Sequence, residues 1–276
     1  MSANSNKHGL LRDIPDPVKR EIRQACCGGC VICGKLFCTY EHFDPPFVDA
    51  TGHNPGGMAL LCPDHQADRT AGRLSIDAVR HARASPFNRG KDAVWSSYFP
   101  QPDMKLKLFG NTIQGPSVGF AINDQVVFGM KTPAQNAGVC LFTGSFCDPS
   151  GRETLRFVDN EIVAKNGAWD VTFEGKNLIV RSAPNKIVAQ LNFHPEQNLV
   201  EVSRLEMRLA NNHYLKGTPS GISISGPQLQ LVIDGISGSY ATGSAFSYGP
   251  ASTGPFSTIA VNDPRLGTFN DWKASS

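Results

Sequence analysis

No stretch of this sequence approaches the roughly 20 continuous apolar residues that a membrane span needs. The opening residues, MSANSNKHGLLRDIPD, also lack the apolar centre of a secretion signal. Both absences point to a soluble, cytoplasmic protein with no membrane partner. Strong charge of either sign is missing too. Residues 1–100 carry 12 Lys/Arg against 10 Asp/Glu and residues 101–276 carry 14 of each, so the net +2 arises wholly in the first part. That is far below the basic footprint of a protein that holds nucleic acid by phosphate neutralisation alone, and it permits a nucleic-acid substrate without requiring one. Cysteine is scarce after residue 62, where only Cys140 and Cys147 remain. The same later part has no metal-ligand spacing, nucleophile elbow, phosphate loop or convincing repeat, which argues against an enzyme activity of its own.

The cysteines that are present crowd the first quarter: Cys26, Cys27, Cys30, Cys33, Cys38 and Cys62. Dense cysteine without a secretion signal points to metal rather than to disulfides. Around them, DIPDPVKREIRQACC reads as a helix, with Asp16 as N-cap, Pro17 at the first position, Val18, Ile22 and Ala25 at helical spacing, and Gly28-Gly29 as the stop. A second helix is expected in LSIDAVRHARASP, capped by Ser75 and stopped by Pro86. From residue 106 the pattern changes to short alternating runs such as VGFAI, QVVFGM and KIVAQLNF, separated by DPSG, KNG and HPEQN. Period-two alternation between turn signals marks an all-β domain, a sandwich or roll first and a β-solenoid second. The expected organisation is α+β: a tail to residue 12, a zinc domain over 13–86, a linker over 87–105, a β-rich domain over 106–236, and a Gly/Ser-rich tail over 237–276. The β domain or the tail is the expected route to any homo-oligomer.

Cys30-x-x-Cys33, 28 intervening residues and Cys62-x-x-His65 form a two-knuckle ligand set. Each pair suits a tight turn, and two such turns close a tetrahedron of thiolate and imidazole around Zn2+. This predicts a structural Cys3His site. Cys27, three residues before Cys30, competes for a ligand position; Cys26 and Cys38 read as packing residues.

The runs IRQACCGGCVICG, YEHFDPPF and MALLCPDHQADRTAGRLS resemble the HNH, or ββα-metal, endonucleases, and among them bacterial HNH proteins with a C-terminal β-rich extension. The resemblance implies a zinc-braced hairpin followed by a helix, and hydrolysis of DNA phosphodiester bonds. On that resemblance His42 is the general base toward water, a role that a near-neutral imidazole suits, and Glu41 helps to hold a catalytic Mg2+ or Mn2+. Two family letters are absent. Gly57 stands where the family has asparagine, with Asn54 three residues upstream as its substitute, and Gln66 stands where the family has a metal-binding histidine. A glutamine oxygen ligates Mg2+, but it lacks the affinity of imidazole for softer metals. An alternative placement makes His65 the catalytic ligand and gives zinc Cys27, Cys30, Cys33 and Cys62. The losses also keep open a catalytically degenerate module that binds nucleic acid or protein. His53 reads as a solvated loop residue near the same cleft, and Arg69, Arg73, Arg80 and Arg83 read equally as phosphate contacts or as a solvated face.

Overall fold

The computed structural model describes residues 4–97, 105–115, 117–123, 125–133, 140–165, 169–234, 239–240, 246–248, 257–261 and 263–266. The chain divides into two compact units between Ser96 and Ser97.

In the first unit, helix α1 (Asp16–Ala25) starts one residue earlier than its sequence suggests. Pro15 holds the cap position and Asp16 lies in the first turn, where a carboxylate favours the positive end of the helix dipole without bonding a backbone N–H. Cys27 and Gly28 then take left-handed backbone, and their N–H groups return to Gln24 and Arg23, which closes the helix end. Strand β1 (Thr39–His42) pairs antiparallel with β2 (Met58–Leu61), placing Glu41 opposite Ala59 and His42 opposite Met58. Helix α2 (Pro63–Thr70) follows β2 directly, and α3 (Ile76–Ala84) is capped by the Ser75 hydroxyl, which accepts from the Ala78 N–H. Every residue of β2 is buried, with Ile22, Val31, Phe43 and Val79 among its core companions.

The segment expected as a linker is structured up to Ser97. Phe87 donates its N–H to Val31, the buried Asn88 amide donates to the Gly34 carbonyl, and β3 (Ala93–Ser97) bridges to Lys35 through Trp95. Small polar residues hid this, because the segment is held by backbone and amide hydrogen bonds rather than by an apolar face. The rest of the expected linker, 98–104, lies outside the described residues.

The second unit is almost wholly β. It runs through β4 (Lys105–Leu108), β5 (Asn111–Ile113), β6 (Ser117–Ile122), β7 (Gln125–Lys131), β8 (Leu141–Cys147), β9 (Glu153–Val158) and β10 (Glu161–Lys165). Then come β11 (Asp170–Glu174), β12 (Asn177–Ala183), β13 (Lys186–His194), β14 (Leu199–Arg208), β15 (Tyr214–Thr218), β16 (Gly221–Ser225) and β17 (Gln230–Asp234). Strands β6 to β10 make one antiparallel meander, and β11 to β17 make another, which β4 joins by pairing parallel with β14. The first sheet buries Phe128, Phe142, Phe146 and Phe157 with ring centroids 5.6 to 6.2 Å apart, and Phe109 meets Phe120 edge to face between the sheets. Both sheets are open. Among the described residues neither barrel nor solenoid is formed, so the β-solenoid alternative is corrected: neighbours in sequence pair antiparallel through tight turns, whereas a solenoid stacks its strands parallel.

The expected C-terminal tail is also partly structured. Strands β18 (Ser239–Tyr240), β19 (Phe246–Tyr248) and β20 (Ser257–Val261) occur in it, and β20 extends the first sheet by pairing parallel with β6. Asn123 both donates to and accepts from the Asp263 backbone, which ties the end of that strand down. The remainder of the tail lies outside the described residues.

Gly57 is the tightest backbone approach in the first unit. A β-carbon there would stand 1.7 Å from the Asp44 carbonyl oxygen, while the Gly57 carbonyl accepts from both Phe43 and Asp44. Gly57→Ala is therefore expected to cost about 2 kcal/mol or more through a clash that the backbone must relieve. Urea unfolding of the two proteins, with zinc present in both, measures it.

Candidate metal centre and the cleft beside it

The first knuckle is a backbone turn. The Gly34 N–H returns to the Cys30 carbonyl at 2.8 Å, and the Cys30 N–H donates to the Lys35 carbonyl at 2.9 Å. Gly34 has φ +79°, and the site of a β-carbon on it is filled by Asn88 and Phe87, so glycine is required there. The second knuckle is the junction of β2 and α2, with Cys62 at the helix N-cap and His65 in the first turn.

These turns gather Cys30, Cys33, Cys62 and His65 so that their ligand atoms all lie within 4.8 Å of one another. The Sγ atoms of Cys33 and Cys62 are 3.7 Å apart, and His65 Nδ1 stands 3.4 Å from Cys30 Sγ and 3.2 Å from Cys62 Sγ. A tetrahedron with Zn–S bonds of about 2.3 Å and a Zn–N bond of about 2.0 Å has edges of about 3.8 and 3.5 Å. The cluster fits that size, and it can hold a metal ion such as zinc. Cys27 is outside it, and His65 is inside it through Nδ1. The alternative ligand set with Cys27 in place of His65 is therefore not the arrangement found.

The thiols are already polarised. Hydrogen bonding from the Cys38 thiol, aided by backbone N–H groups of Cys62, Cys33 and Ile32, holds Cys30 down to about 4 against the opposing effect of burial. Burial, and then the neighbouring Cys30 thiolate, push Cys33 up to about 12. Cys38, whose thiol also lies 3.0 Å from the Lys35 carbonyl, is raised mainly by its bond to Cys30. Burial alone dominates at Cys26, raised to about 11, which accepts the Leu60 N–H and is a packing residue.

Beside the cluster, the pleat of β1 sorts the expected site residues onto two sides, because successive side chains of a strand point to opposite sides. Thr39 and Glu41 face α2. Gln66 donates its amide to Glu41 at 2.9 Å and accepts from the Thr39 hydroxyl at 3.1 Å. Arg69 Nε lies 3.5 Å from the other Glu41 oxygen, with both side chains about four-fifths buried. His42 projects on the other side. Its Nε2 stands 3.0 Å from Nδ1 of His53, and its ring is tilted against Phe47, over which Arg12 lies. Burial, then His53 and Arg12, hold the His42 imidazole down to about 4, so it is neutral at pH 7.

Of the expected catalytic group, Glu41 and Gln66 are in contact, His42 follows Glu41 in sequence but lies on the opposite face of β1, and Asn54 is occupied elsewhere. The Asn54 side chain accepts from Gly56 N–H to cap the short 3-10 helix Pro55–Gly57. The arginines also resolve. Arg83 donates to the carbonyls of Met58, Ala25 and Pro55, Arg80 pairs with Asp77 and Asp44, and Arg73 pairs with Asp68. Arg83 is thus a clamp on backbone carbonyls, not a solvated cation. His53, read from sequence as a loop residue, carries no local signal of its partner, since 11 positions separate it from His42.

What the fold and the cluster define is a small mixed unit with a Cys3His cluster able to bind a metal such as zinc, followed by a β-rich unit. Compared with protein-family models, curated proteins and solved structures, the chain matches none. No helix among the described residues is long and apolar enough to cross a membrane.

The protein is expected to bind one zinc per chain. Cys33→Ser and His65→Ala should lose it and loosen the first unit, whereas Cys27→Ser should keep it; elemental analysis after dialysis, with far-ultraviolet dichroism, reads both. Because zinc needs the thiols deprotonated, the metal should be released as pH falls.

Proposed function

We propose that the first unit is an HNH-type, ββα-metal module that hydrolyses DNA phosphodiester bonds, with zinc as a structural brace and Mg2+ or Mn2+ as the catalytic ion. The observation that carries this reading is the 2.9 Å contact between Glu41 on the first strand and Gln66 on the helix that leaves the cluster. It joins the acid and the helix position that the sequence resemblance assigns to one ion. A half-buried imidazole, neutral at pH 7, stands on the adjacent strand position as proton acceptor. Glu41 would offer a carboxylate and Gln66 its amide oxygen, once the amide turns from its present bonds. Such an ion would stabilise negative charge on the phosphate and the leaving oxygen. The β-rich unit serves recognition or oligomerisation in this reading.

Purified protein, zinc-loaded and given supercoiled DNA with Mg2+ or Mn2+, should nick it, and His42→Ala should lower the rate by about 100-fold or more. Equal cleavage by both proteins, or none by either, refutes the reading.

One observation favours a second reading, in which the module is catalytically degenerate and binds nucleic acid or protein. The Arg69 guanidinium already lies 3.5 Å from Glu41, and a cation fixed beside the carboxylate competes with a divalent ion for it. On this reading Gln66→His should create cleavage where the natural chain has none, read in the same plasmid assay. An inactive Gln66→His protein that retains its zinc removes the support for decay at this position.

A further inference from the structure

The resemblance expects an asparagine to orient the base, and the structure leaves no room for one. Gly57 cannot carry a side chain against the Asp44 carbonyl, and Asn54 is committed to the Gly56 N–H. A different group has reached the base. His53 brings Nδ1 to 3.0 Å from His42 Nε2, with the ring centroids 5.2 Å apart and the planes inclined by 49°. Among the described residues, Nδ1 of His42 has no hydrogen-bond partner.

The two imidazoles in that contact must be complementary, one donating N–H and the other accepting on a bare nitrogen. If His53 donates, His42 spends its lone pair on the contact and carries its own proton on Nδ1, so it has nothing left with which to take a proton. If His42 donates from Nε2, its Nδ1 is bare and basic. We infer that His53 is the positioning residue of the site: it accepts the Nε2 proton of His42, which selects the tautomer that leaves Nδ1 free to act on water. The inference rests on the reading of His42 as general base.

The step then balances. Water gives a proton to His42 Nδ1 while its oxygen bonds to phosphorus, the bond from phosphorus to the leaving oxygen breaks, and that oxygen takes a proton from solvent. His42 becomes imidazolium while still donating its Nε2 proton to His53, so the contact persists through the step. The ring is held from turning away by Phe47 at a centroid distance of 5.3 Å. The loop that carries Phe47 is in turn held by the buried Asn6 amide, which donates to the carbonyls of Phe47 and Ala50.

Two measurements on the full zinc-loaded chain test this. In histidine-labelled protein at neutral pH, nitrogen-15 spectra should show a scalar coupling between His42 Nε2 and His53 Nδ1, with His42 protonated on Nε2 and bare on Nδ1. No coupling, or a proton on His42 Nδ1, overturns the inference. In the cleavage assay, His53→Ala should lower kcat about tenfold or more with KM within about twofold, and His53→Gln, whose amide oxygen can accept the same N–H, should recover part of the loss. A His53→Ala protein as fast as the natural one overturns the positioning role. A coupled pair in a protein that cleaves no DNA refutes the nuclease reading and leaves the pairing established, so the two failures are separable.

Discussion

Three thiols and an imidazole within 4.8 Å of one another make an unfavourable assembly unless a cation sits among them, since each thiolate raises the proton affinity of the next. At Cys33 that conflict adds to burial, the main cause, in pushing the thiol up to about 12. A divalent ion relieves it at all ligands together. The rest of the first unit depends on this point of closure. The turn after α1, the end of β2 and the start of α2 all meet there, and the segment around Asn88 and Trp95 wraps the first knuckle from outside. Without the metal, the apolar residues of β2 remain a core, but a small one, and small cores need such a staple.

The brace also decides what lies next to it. Fixing Cys62 and His65 fixes the first turn of α2, and with it the direction of Gln66 and Arg69 toward β1. The strand pleat then sorts the neighbours, with Glu41 joined to the helix and His42 turned to the loop that carries His53 and Phe47. The Cys3His cluster is therefore coupled to two neighbouring groups of side chains that are chemically different. One is an acid held by an amide and a guanidinium, the other a pair of imidazoles in contact.

Much of this was legible along the chain. Alternation and turn residues announced the β-rich unit, and Ser75 announced α3, because these signals act over three or four residues. The paired spacing of Cys30, Cys33, Cys62 and His65 announced the cluster, because a knuckle is a local turn that needs only its own few residues. Less legible were the segments of small polar residues. Residues 87–97 and the strand Ser257–Val261 look like linker and tail, yet each is held by partners distant in sequence, through an Asn88 side chain or a parallel strand edge.

By itself, then, the sequence determined the paired spacing of the candidate ligands, the order of strand and helix around them, and the chemical types at positions 41, 42, 54 and 66. Only the tertiary structure decided that His65 rather than Cys27 completes the cluster, that Gly57 is enforced by a backbone approach, that Arg83 clamps carbonyls, and that His53 meets His42. The physical reason is the same in each case. Spacing within a turn is set by covalent geometry, whereas the meeting of residues 11 or 29 positions apart depends on how the intervening loop closes.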